Sequence, residues 1–314
     1  MRPENQLRIS RKELSDKFIL PGFNGVPLNH VLQYLKSGFR KGMLVTRASS
    51  LAFNMLLALL PALIFIFTLI PFIPLANFQE EILRLFENIM PENVFGFLRT
   101  TIIDVVTKKS GGLLFFMFIA TVVFSTNGIH AVIHSFVVSA HSFKTRSWLN
   151  QRKIAFVLLL VIILMISTAG FLLIFGKMAL KWMMALHFIE KNLLFYLLVF
   201  LKWVLIFLLL FFAISSLYYL APAKRSGFKF FSPGSILATF LFILTSLGFS
   251  AYVNHFGQYN KLYGSIGTLM VTLIWLYFNS IAVLIGFELN LSIIEARAEL
   301  DQRFLTINRN AETA

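Results

Sequence analysis

One carboxylate lies inside a long apolar stretch near the C-terminal end of the chain. Glu288 is the only charged residue in residues 263–290, which read YGSIGTLMVTLIWLYFNSIAVLIGFELN. A carboxylate in hydrocarbon is costly unless it is paired, neutralised or led to water. Either the helix ends at a membrane surface near Glu288, or the carboxylate has a basic partner among packed helices. Arg47 begins the first apolar stretch at a similar depth, so we expect Glu288 to pair with Arg47 or another nearby base and to fasten the inner end of the bundle. Proton coupling by Glu288 is the alternative.

A second set of polar side chains follows one face of another apolar stretch. Asn127, His130 and His134 recur at helical spacing, and the i, i+4 spacing of the two histidines could let them share a metal ion. No Asp or Glu lies between Lys108 and Ile189 to complete such a site. We therefore expect a structural face, with metal or proton handling as the alternative. We expect no catalytic residue and no cofactor.

The first apolar stretch contains a polar residue and a proline. Asn54 lies about two turns into the stretch and is expected to hydrogen-bond to another helix. Pro61 removes a backbone hydrogen bond and is expected to kink the helix near Leu57. The kink serves either packing or gating, and packing is the simpler expectation.

The last apolar stretch carries a face of small and polar residues. Asn279, Ala282, Gly286 and Asn290 fall on one side at about 100° per residue. The Ala282-x-x-x-Gly286 pair allows close approach of another helix. Glu288 points the other way, so both faces have reason to be covered, and we expect this helix to be central.

A lysine interrupts the fourth apolar stretch. Lys202 lies about nine residues inside the predicted span, and its long stem could carry the ammonium to the headgroups. Trp203 and Tyr196 are typical residues of the membrane interface. The alternative is that Lys202 faces a solute.

Composition predicts the elements that position these residues. The chain has 314 residues, 58% of them hydrophobic and 13% charged, with no cysteine. A soluble domain could not bury so much apolar surface. Six stretches reach the roughly 20 residues that cross a membrane core, at 49–73, 112–136, 154–176, 193–218, 233–253 and 264–291. The expected fold class is all-α, a polytopic membrane protein with six transmembrane helices.

Short amphipathic helices are expected outside the spans. Apolar residues keep helical spacing in residues 28–43 and again, within the loop 74–111, between residues 78 and 105. The first of these helices either touches anionic headgroups or packs on the inner end of the bundle. The second group is expected at the outer surface.

Charge distribution predicts the orientation. Of 28 lysines and arginines, 19 fall in the segments on the N-terminal side of the membrane and 8 on the other side. The positive-inside rule then places both termini in the cytoplasm. The domains are a basic segment 1–48, a membrane bundle 49–291 and a cytoplasmic tail 292–314. Topology explains most of the net charge of +14, so we expect anionic lipid headgroups as partners and no nucleic acid. A homo-oligomer is compatible with the sequence.

Three motifs resemble a known family. They are R-A-x-x-L-A-aromatic at 47–53 followed by Pro61, Y-x-A-P…S-P-G at 219–234, and Y-G-S-I-G…W-L-Y…G-F-E-L-N at 263–290. Together they resemble the YihY family, also called BrkB and once labelled ribonuclease BN. The resemblance runs from about Gly38 to Glu295 and implies a bacterial inner-membrane protein with six helices.

Two functions from different classes follow as hypotheses. Metal-dependent RNA hydrolysis uses converging carboxylates or histidines in a water-accessible cleft; the predicted cytoplasmic side has only scattered acids, so ribonuclease activity is not expected. The first hypothesis is a transporter or flippase of a lipid or an amphipathic anion, which a polar cavity joining Asn54, Asn127 and Asn279 would favour. The alternative is a non-transporting membrane scaffold in envelope maintenance, which a tightly packed interior would favour.

Overall fold

The described part of the chain is almost entirely helical. A computed structural model describes residues 20–41, 43–72, 109–139, 147–185, 193–222, 228–255 and 259–312, and these ranges contain no strand. The helices are α1 (Leu28–Lys41), α2 (Leu44–Leu69), α3 (Gly111–Ser139), α4 (Trp148–Ala185), α5 (Leu193–Leu220), α6 (Pro233–His255) and α7 (Tyr259–Glu312). A 3-10 turn, Ile70–Phe72, follows α2. The all-α fold class is confirmed.

Six of these helices, α2 to α7, are long and apolar enough to cross a membrane. The candidate spans are Leu44–Leu69, Gly111–Val138, Trp148–Leu172, Phe195–Leu220, Pro233–Tyr252 and Leu269–Arg303, and each overlaps a predicted span. Large apolar side chains remain on the surface, such as Phe115 at 68% and Ile166 at 65% exposure. Because water tolerates such patches poorly, lipid is the solvent that suits these helices.

The last helix continues well past the predicted end of its membrane span. We expected the span to stop near Leu291, but α7 has 54 residues and runs to Glu312. No glycine or proline follows Gly286, so no strong helix-stop signal intervenes. Pairs at i, i+4 spacing, Arg297–Asp301 and Glu299–Arg303, support the extension. The predicted tail 292–314 is therefore helical as far as Glu312.

The chain divides into two compact units. The first consists of residues 1–52 and 130–314 and holds α1, the start of α2, the end of α3 and α4 to α7. Within it, α7 packs against α6 and α1, and α5 packs against α4 and α6. The second unit is residues 53–129, in which the rings of Phe65 and Phe118 pack with centroids 5.7 Å apart.

Helix α1 packs on α7 through an apolar face. Val31 joins a buried cluster with residues of the preceding loop and of α7, namely Phe23, Val26, Leu289, Ile293 and Ala296. The Tyr34 hydroxyl donates to Glu299 on α7. Leu32 and Lys36 on α1 stay exposed. Of the two alternatives for this helix, packing is observed, and headgroup contact stays a prediction for its exposed face. The amphipathic helices predicted between residues 78 and 105 lie outside the described residues.

Candidate functional site

The predicted ion pair is present. Arg47, in the first turn of α2, places Nη2 at 2.6 Å from Glu288 Oε1 on α7. Arg47 Nη1 also donates to the Ser135 carbonyl of α3, at 2.9 Å. The two charged side chains are 7% and 2% exposed. Because a buried charge costs several kcal/mol when it is left alone, each member of the pair makes the burial of the other tolerable.

A glycine of α1 encloses the carboxylate. A methyl group built on Gly38 would lie 2.8 Å from Glu288 Oε2, so a larger residue at this position would have to displace the carboxylate. Met43, in the left-handed conformation with a φ of 46°, separates α1 from α2. Glu288 is therefore surrounded by groups from α1, α2 and its own helix. The arrangement is that of an anchor, and a role in proton coupling stays an untested alternative.

The start of α6 is capped by a residue of α7. Ser232 and Ser235 bond reciprocally, with the Ser235 amide donating to Ser232 Oγ at 3.2 Å and the Ser232 amide to Ser235 Oγ at 3.3 Å. Pro233 occupies the first helical position, where its missing N–H costs nothing. The Gly234 amide donates to Asn290 Oδ1 at 2.8 Å, and Asn290 Nδ2 donates to Ser232 Oγ at 2.9 Å. These bonds use the free amides at which a helix start would otherwise attract an anion.

The small-residue face of α7 contacts α6, as predicted. A methyl group on Gly286 would lie 2.6 Å from Ala238 Cβ and 2.6 Å from Tyr218 Oη, and it would also overlap the Gly234 carbonyl. The Tyr218 hydroxyl donates to the Val283 carbonyl at 2.5 Å. The two helices therefore meet at backbone distance.

Aromatic rings fill the space beside this contact. The rings of Phe136 and Phe287 are stacked with centroids 3.9 Å apart and an interplanar angle of 4°. Phe228 stacks on Phe287 with centroids 5.7 Å apart, and Tyr218 meets Phe136 and Phe287 edge-on. Such pairs add packing energy beyond area burial. The rings hold α3, α5 and α7 together.

Asn279 forms a second polar contact between α6 and α7. Its Oδ1 accepts from Thr245 at 3.1 Å and from Ser246 at 3.4 Å, and its Nδ2 donates to the Trp275 carbonyl at 2.9 Å. Trp275 Nε1 donates to Ser246 Oγ at 3.2 Å. Asn279 is only 4% exposed. It therefore joins helices and does not line an open cavity.

The histidine face makes a helix–helix contact. His130 Nε2 lies 3.0 Å from Gln151 Oε1 on α4, so the tautomer protonated at Nε2 donates this bond. His134 is exposed. Among the described residues, no three His, Asp or Glu side chains lie close enough to hold a metal ion. The bond between α3 and α4 favours the structural expectation over metal binding.

Asn54, Pro61 and Asn127 belong to the second unit. Asn54 and Asn127 are both half-buried, and a methyl group on Gly128 would lie 3.6 Å from the Asn54 carbonyl. Helix α2 continues through Pro61 to Leu69. The hydrogen bond expected between Asn54 and another helix, and the kink at Pro61, stay predictions.

Lys202 is buried beside another helix. Its side chain is only 8% exposed, and the expectation that its long stem carries the ammonium to the headgroups stays a prediction. A methyl group on Gly176 of α4 would lie 3.2 Å from Lys202 Cδ. The ammonium lies 5.2 Å from the centroid of the Trp203 ring. The register of α4 against α5 decides this burial, and the sequence does not give that register.

Several residues of these contacts were missed from sequence. Thr245 and Ser246 are ordinary helix residues with no signal of their own. The S-P-G stretch at 232–234 does signal a helix start, but nothing in it names Asn290 as the partner. The contact of Tyr218 could have been predicted only from knowledge of how α5 packs against α7.

Comparisons with known proteins give a family. The family model described as "Virulence factor BrkB" matches residues 35–305. A Bacillus subtilis protein named ribonuclease-like protein YfkH is 30% identical over 246 residues, 78% of this chain and 88% of that protein. A UPF0761 membrane protein of Pseudoalteromonas translucida is 42% identical over 73 residues, 23% of this chain and 24% of that protein. A UPF0761 membrane protein of Vibrio atlanticus is 35% identical over 85 residues, 27% of each chain.

No solved structure matches the chain. The family model covers all the residues of the ion pair, the α6–α7 contact and Lys202. The YfkH similarity likewise extends over most of both proteins. With six apolar helices that can cross a membrane, the chain belongs to the BrkB family, also called YihY, of integral membrane proteins.

Proposed function

We propose that this protein moves an anionic amphiphile, a lipid or an amphipathic anion, across the bacterial inner membrane. The supporting observation is Lys202. It is buried within a candidate membrane span, and no carboxylate of the described residues lies within ion-pair distance of its ammonium. Arg47, the other buried base among the described residues, has Glu288 as its counter-ion. Ionisable residues inside a membrane are costly and commonly mark a substrate or ion path.

The charge balance of the central chain supports an anionic substrate. Residues 105–287 contain fourteen lysines and arginines but a single acid, Glu190. The positive-inside rule accounts for the bases of the connections at one membrane side. It does not account for Lys202, which lies within a span. An anion would meet little repulsion along this part of the protein.

Transport is tested by reconstitution. The purified protein is placed in vesicles that contain a fluorescent phosphatidylglycerol analogue, and movement between leaflets is followed by quenching from outside. We expect the rate to rise with the amount of protein and to fall several-fold in Lys202→Met. Lys153→Met, an exposed lysine at the start of α4, is the matched control and keeps the wild-type rate. A rate equal to that of protein-free vesicles contradicts the proposal.

A membrane scaffold is the second candidate. It is favoured by the contact of α6 with α7, where Gly286 meets Gly234 at backbone distance and Asn279 Oδ1 accepts from Thr245 and Ser246 of α6. A tightly packed pair of this kind offers no path of its own. The scaffold predicts no protein-dependent lipid movement in the vesicles, and it predicts a stable partner that co-purifies through cross-linking. The ribonuclease-like name of YfkH is that protein's own, and RNA hydrolysis forms no part of the proposal.

A further inference from the structure

The Lys202 side chain occupies a slot between two antiparallel helices. Gly176 lies nine residues before α4 ends at Ala185, and Lys202 lies nine residues after α5 begins at Leu193. The two residues therefore face each other at the same level, about 14 Å from the helix ends at 1.5 Å per residue. The missing side chain at Gly176 makes room for the lysine stem, whose Cδ is 3.2 Å from a methyl group built there.

This level belongs to the half of the membrane near the α4–α5 connection. The apolar run of α4 continues through Phe175 to Gly176, and the apolar run of α5 begins at Leu193, nine residues before Lys202. Lys177 follows Gly176 directly, and Lys181 lies about one turn further on. Because lysines mark the headgroup region, this end of the helix pair lies near the membrane surface.

The slot is bordered by exposed apolar side chains and by the face of an aromatic ring. Phe200, Leu201 and Trp203 on α5 are 66%, 49% and 56% exposed and suit contact with acyl chains. The ammonium itself contacts the face of the Trp203 ring, with 5.2 Å to the centroid. A ring face attracts a cation but accepts none of the strong hydrogen bonds that three N–H donors can make. An ordinary lysine that reaches for headgroups would lie on the lipid face, whereas this one is held between helices.

We propose that the Lys202 ammonium binds the phosphate of an anionic phospholipid, which enters beside Trp203 at the outer end of the α4–α5 pair. The acyl chains then lie along Phe200 and Leu201, and Gly176 fixes the position of the lysine stem. The inference takes only the class of ligand, an anionic lipid, from the proposed function. Binding is measured without transport, so the two can fail separately.

The test is lipid binding by the purified full-length protein in a non-ionic detergent. Native mass spectrometry counts retained lipids during titration with phosphatidylglycerol and, in parallel, with phosphatidylcholine. Since a hydrogen bond to a charged group contributes more than a neutral one, we expect Lys202→Met to weaken phosphatidylglycerol binding by about tenfold. Phosphatidylcholine binding should change less, and Lys153→Met should bind like the wild type.

A second variant separates a built site from a general charge effect. Gly176→Ala keeps every charge but pushes on the lysine stem, and we expect phosphatidylglycerol binding several-fold weaker than in the wild type. The control is Gly170→Ala on the same helix, where an added methyl group has no neighbour within 4 Å. Thermal unfolding of each variant verifies that it is folded.

Two results would overturn the inference. One is wild-type affinity for phosphatidylglycerol in both Lys202→Met and Gly176→Ala. The other is release of the lipid by excess inorganic phosphate, which would mean that the slot takes the free anion. Lipid movement in vesicles with no Lys202-dependent binding removes this inference and leaves the proposed function. Lys202-dependent binding without lipid movement in vesicles removes the proposed function and leaves this inference.

Discussion

At the scale of single residues, Arg47 and Glu288 show how a membrane protein can keep a full charge in its interior. The pair is nearly inaccessible, with 7% and 2% exposure, and a third helix adds the Ser135 carbonyl. Such pairs are weak evidence for stability, because desolvation offsets the attraction between the charges. Removing one partner is a different matter, since it leaves the other charge alone in an apolar interior.

We therefore expect the double replacement to destabilise the protein less than the sum of the two single replacements. Arg47→Met or Glu288→Met alone should cost about 3–5 kcal/mol, and the double replacement should recover most of that loss. The measurement is thermal unfolding in detergent. Asp301→Asn, which weakens the exposed pair with Arg297 and leaves the bond from Arg297 to the Asn24 carbonyl in place, is the control and should cost under about 1 kcal/mol. Strictly additive losses would show that the pair is not coupled.

Tyr34 gives a prediction that depends on pH. Burial, together with its hydrogen bond to Glu299, raises the pKa of Tyr34 from 10.0 to about 12. A group whose pKa is raised in the folded state adds stability below its ordinary pKa and loses that stability as the pH rises through the folded value. The contribution is therefore complete below pH 10 and disappears toward pH 12.

The comparison is between wild type and Tyr34→Phe. Without the hydroxyl, the variant should be less stable near neutral pH, and the difference from wild type should shrink between about pH 10 and pH 12. Unfolding temperatures across this range measure it, with Tyr196→Phe as the control at an exposed tyrosine. A difference that stays constant with pH would show that Tyr34 ionisation is not linked to the docking of α1.

At the scale of helices, the close contact of α6 with α7 depends on two glycines, which have no side chain to keep the backbones apart. Gly234 and Gly286 allow the backbones to touch, and Asn290 then caps the α6 start. Membrane helices gain no hydrophobic energy from each other beyond what lipid already gives, so close packing and polar contacts decide their association. Asn279 and Asn290 supply the polar contacts at two levels of the same face.

Gly286→Ala should therefore destabilise the protein. Its methyl group would meet Ala238 Cβ and Tyr218 Oη, each at 2.6 Å, and overpacking of this kind costs about 1–3 kcal/mol. Gly248→Ala on α6 has no neighbour within 4 Å of the added methyl group. The higher helix propensity of alanine makes this control neutral or slightly stabilising. Equal unfolding temperatures for the two variants would contradict the role of the Gly286 contact.

The helices also show which features a sequence can predict. Periodicity put Asn279, Gly286 and Asn290 on one face, and that face is the one that meets α6. Apolar length located all six candidate spans. The predicted end of the membrane span near Leu291 is not the end of α7, because the residues after Leu291 are polar but still good helix formers. The absence of glycine and proline after Gly286 indicates that the helix continues.

The candidate site was less accessible to sequence reasoning. Arg47–Glu288 could be inferred, since a single acid and a single base occur at matching depths of two spans. The slot at Lys202 could not, because it depends on which residue of α4 faces α5. Ser232 and Asn290 are distant in the chain and join only when two helices pack side by side. Side-chain contacts that depend on the register of two packed helices cannot be predicted from the sequence and require a structure.

At the scale of the whole molecule, orientation decides which leaflet each of these groups faces. With 19 of 28 lysines and arginines on the N-terminal side, the positive-inside rule predicts cytoplasmic termini. The leaflet of Lys202 follows from that, whereas the Arg47–Glu288 contact does not depend on it. The chain has no cysteine, so single introduced cysteines report the side of the membrane without background.

Three exposed positions settle the orientation: Ser110 before α3, Ser147 before α4 and Arg309 near the end of α7. In intact spheroplasts, a maleimide that cannot cross membranes should label Ser110→Cys. It should label Ser147→Cys and Arg309→Cys only after permeabilisation, because their segments carry the excess of basic residues that resists translocation. The opposite pattern would turn the protein over and move Lys202 to the cytoplasmic leaflet. The anionic lipid would then have to enter from that side, and the phosphatidylglycerol analogue in the vesicle assay would have to be supplied there.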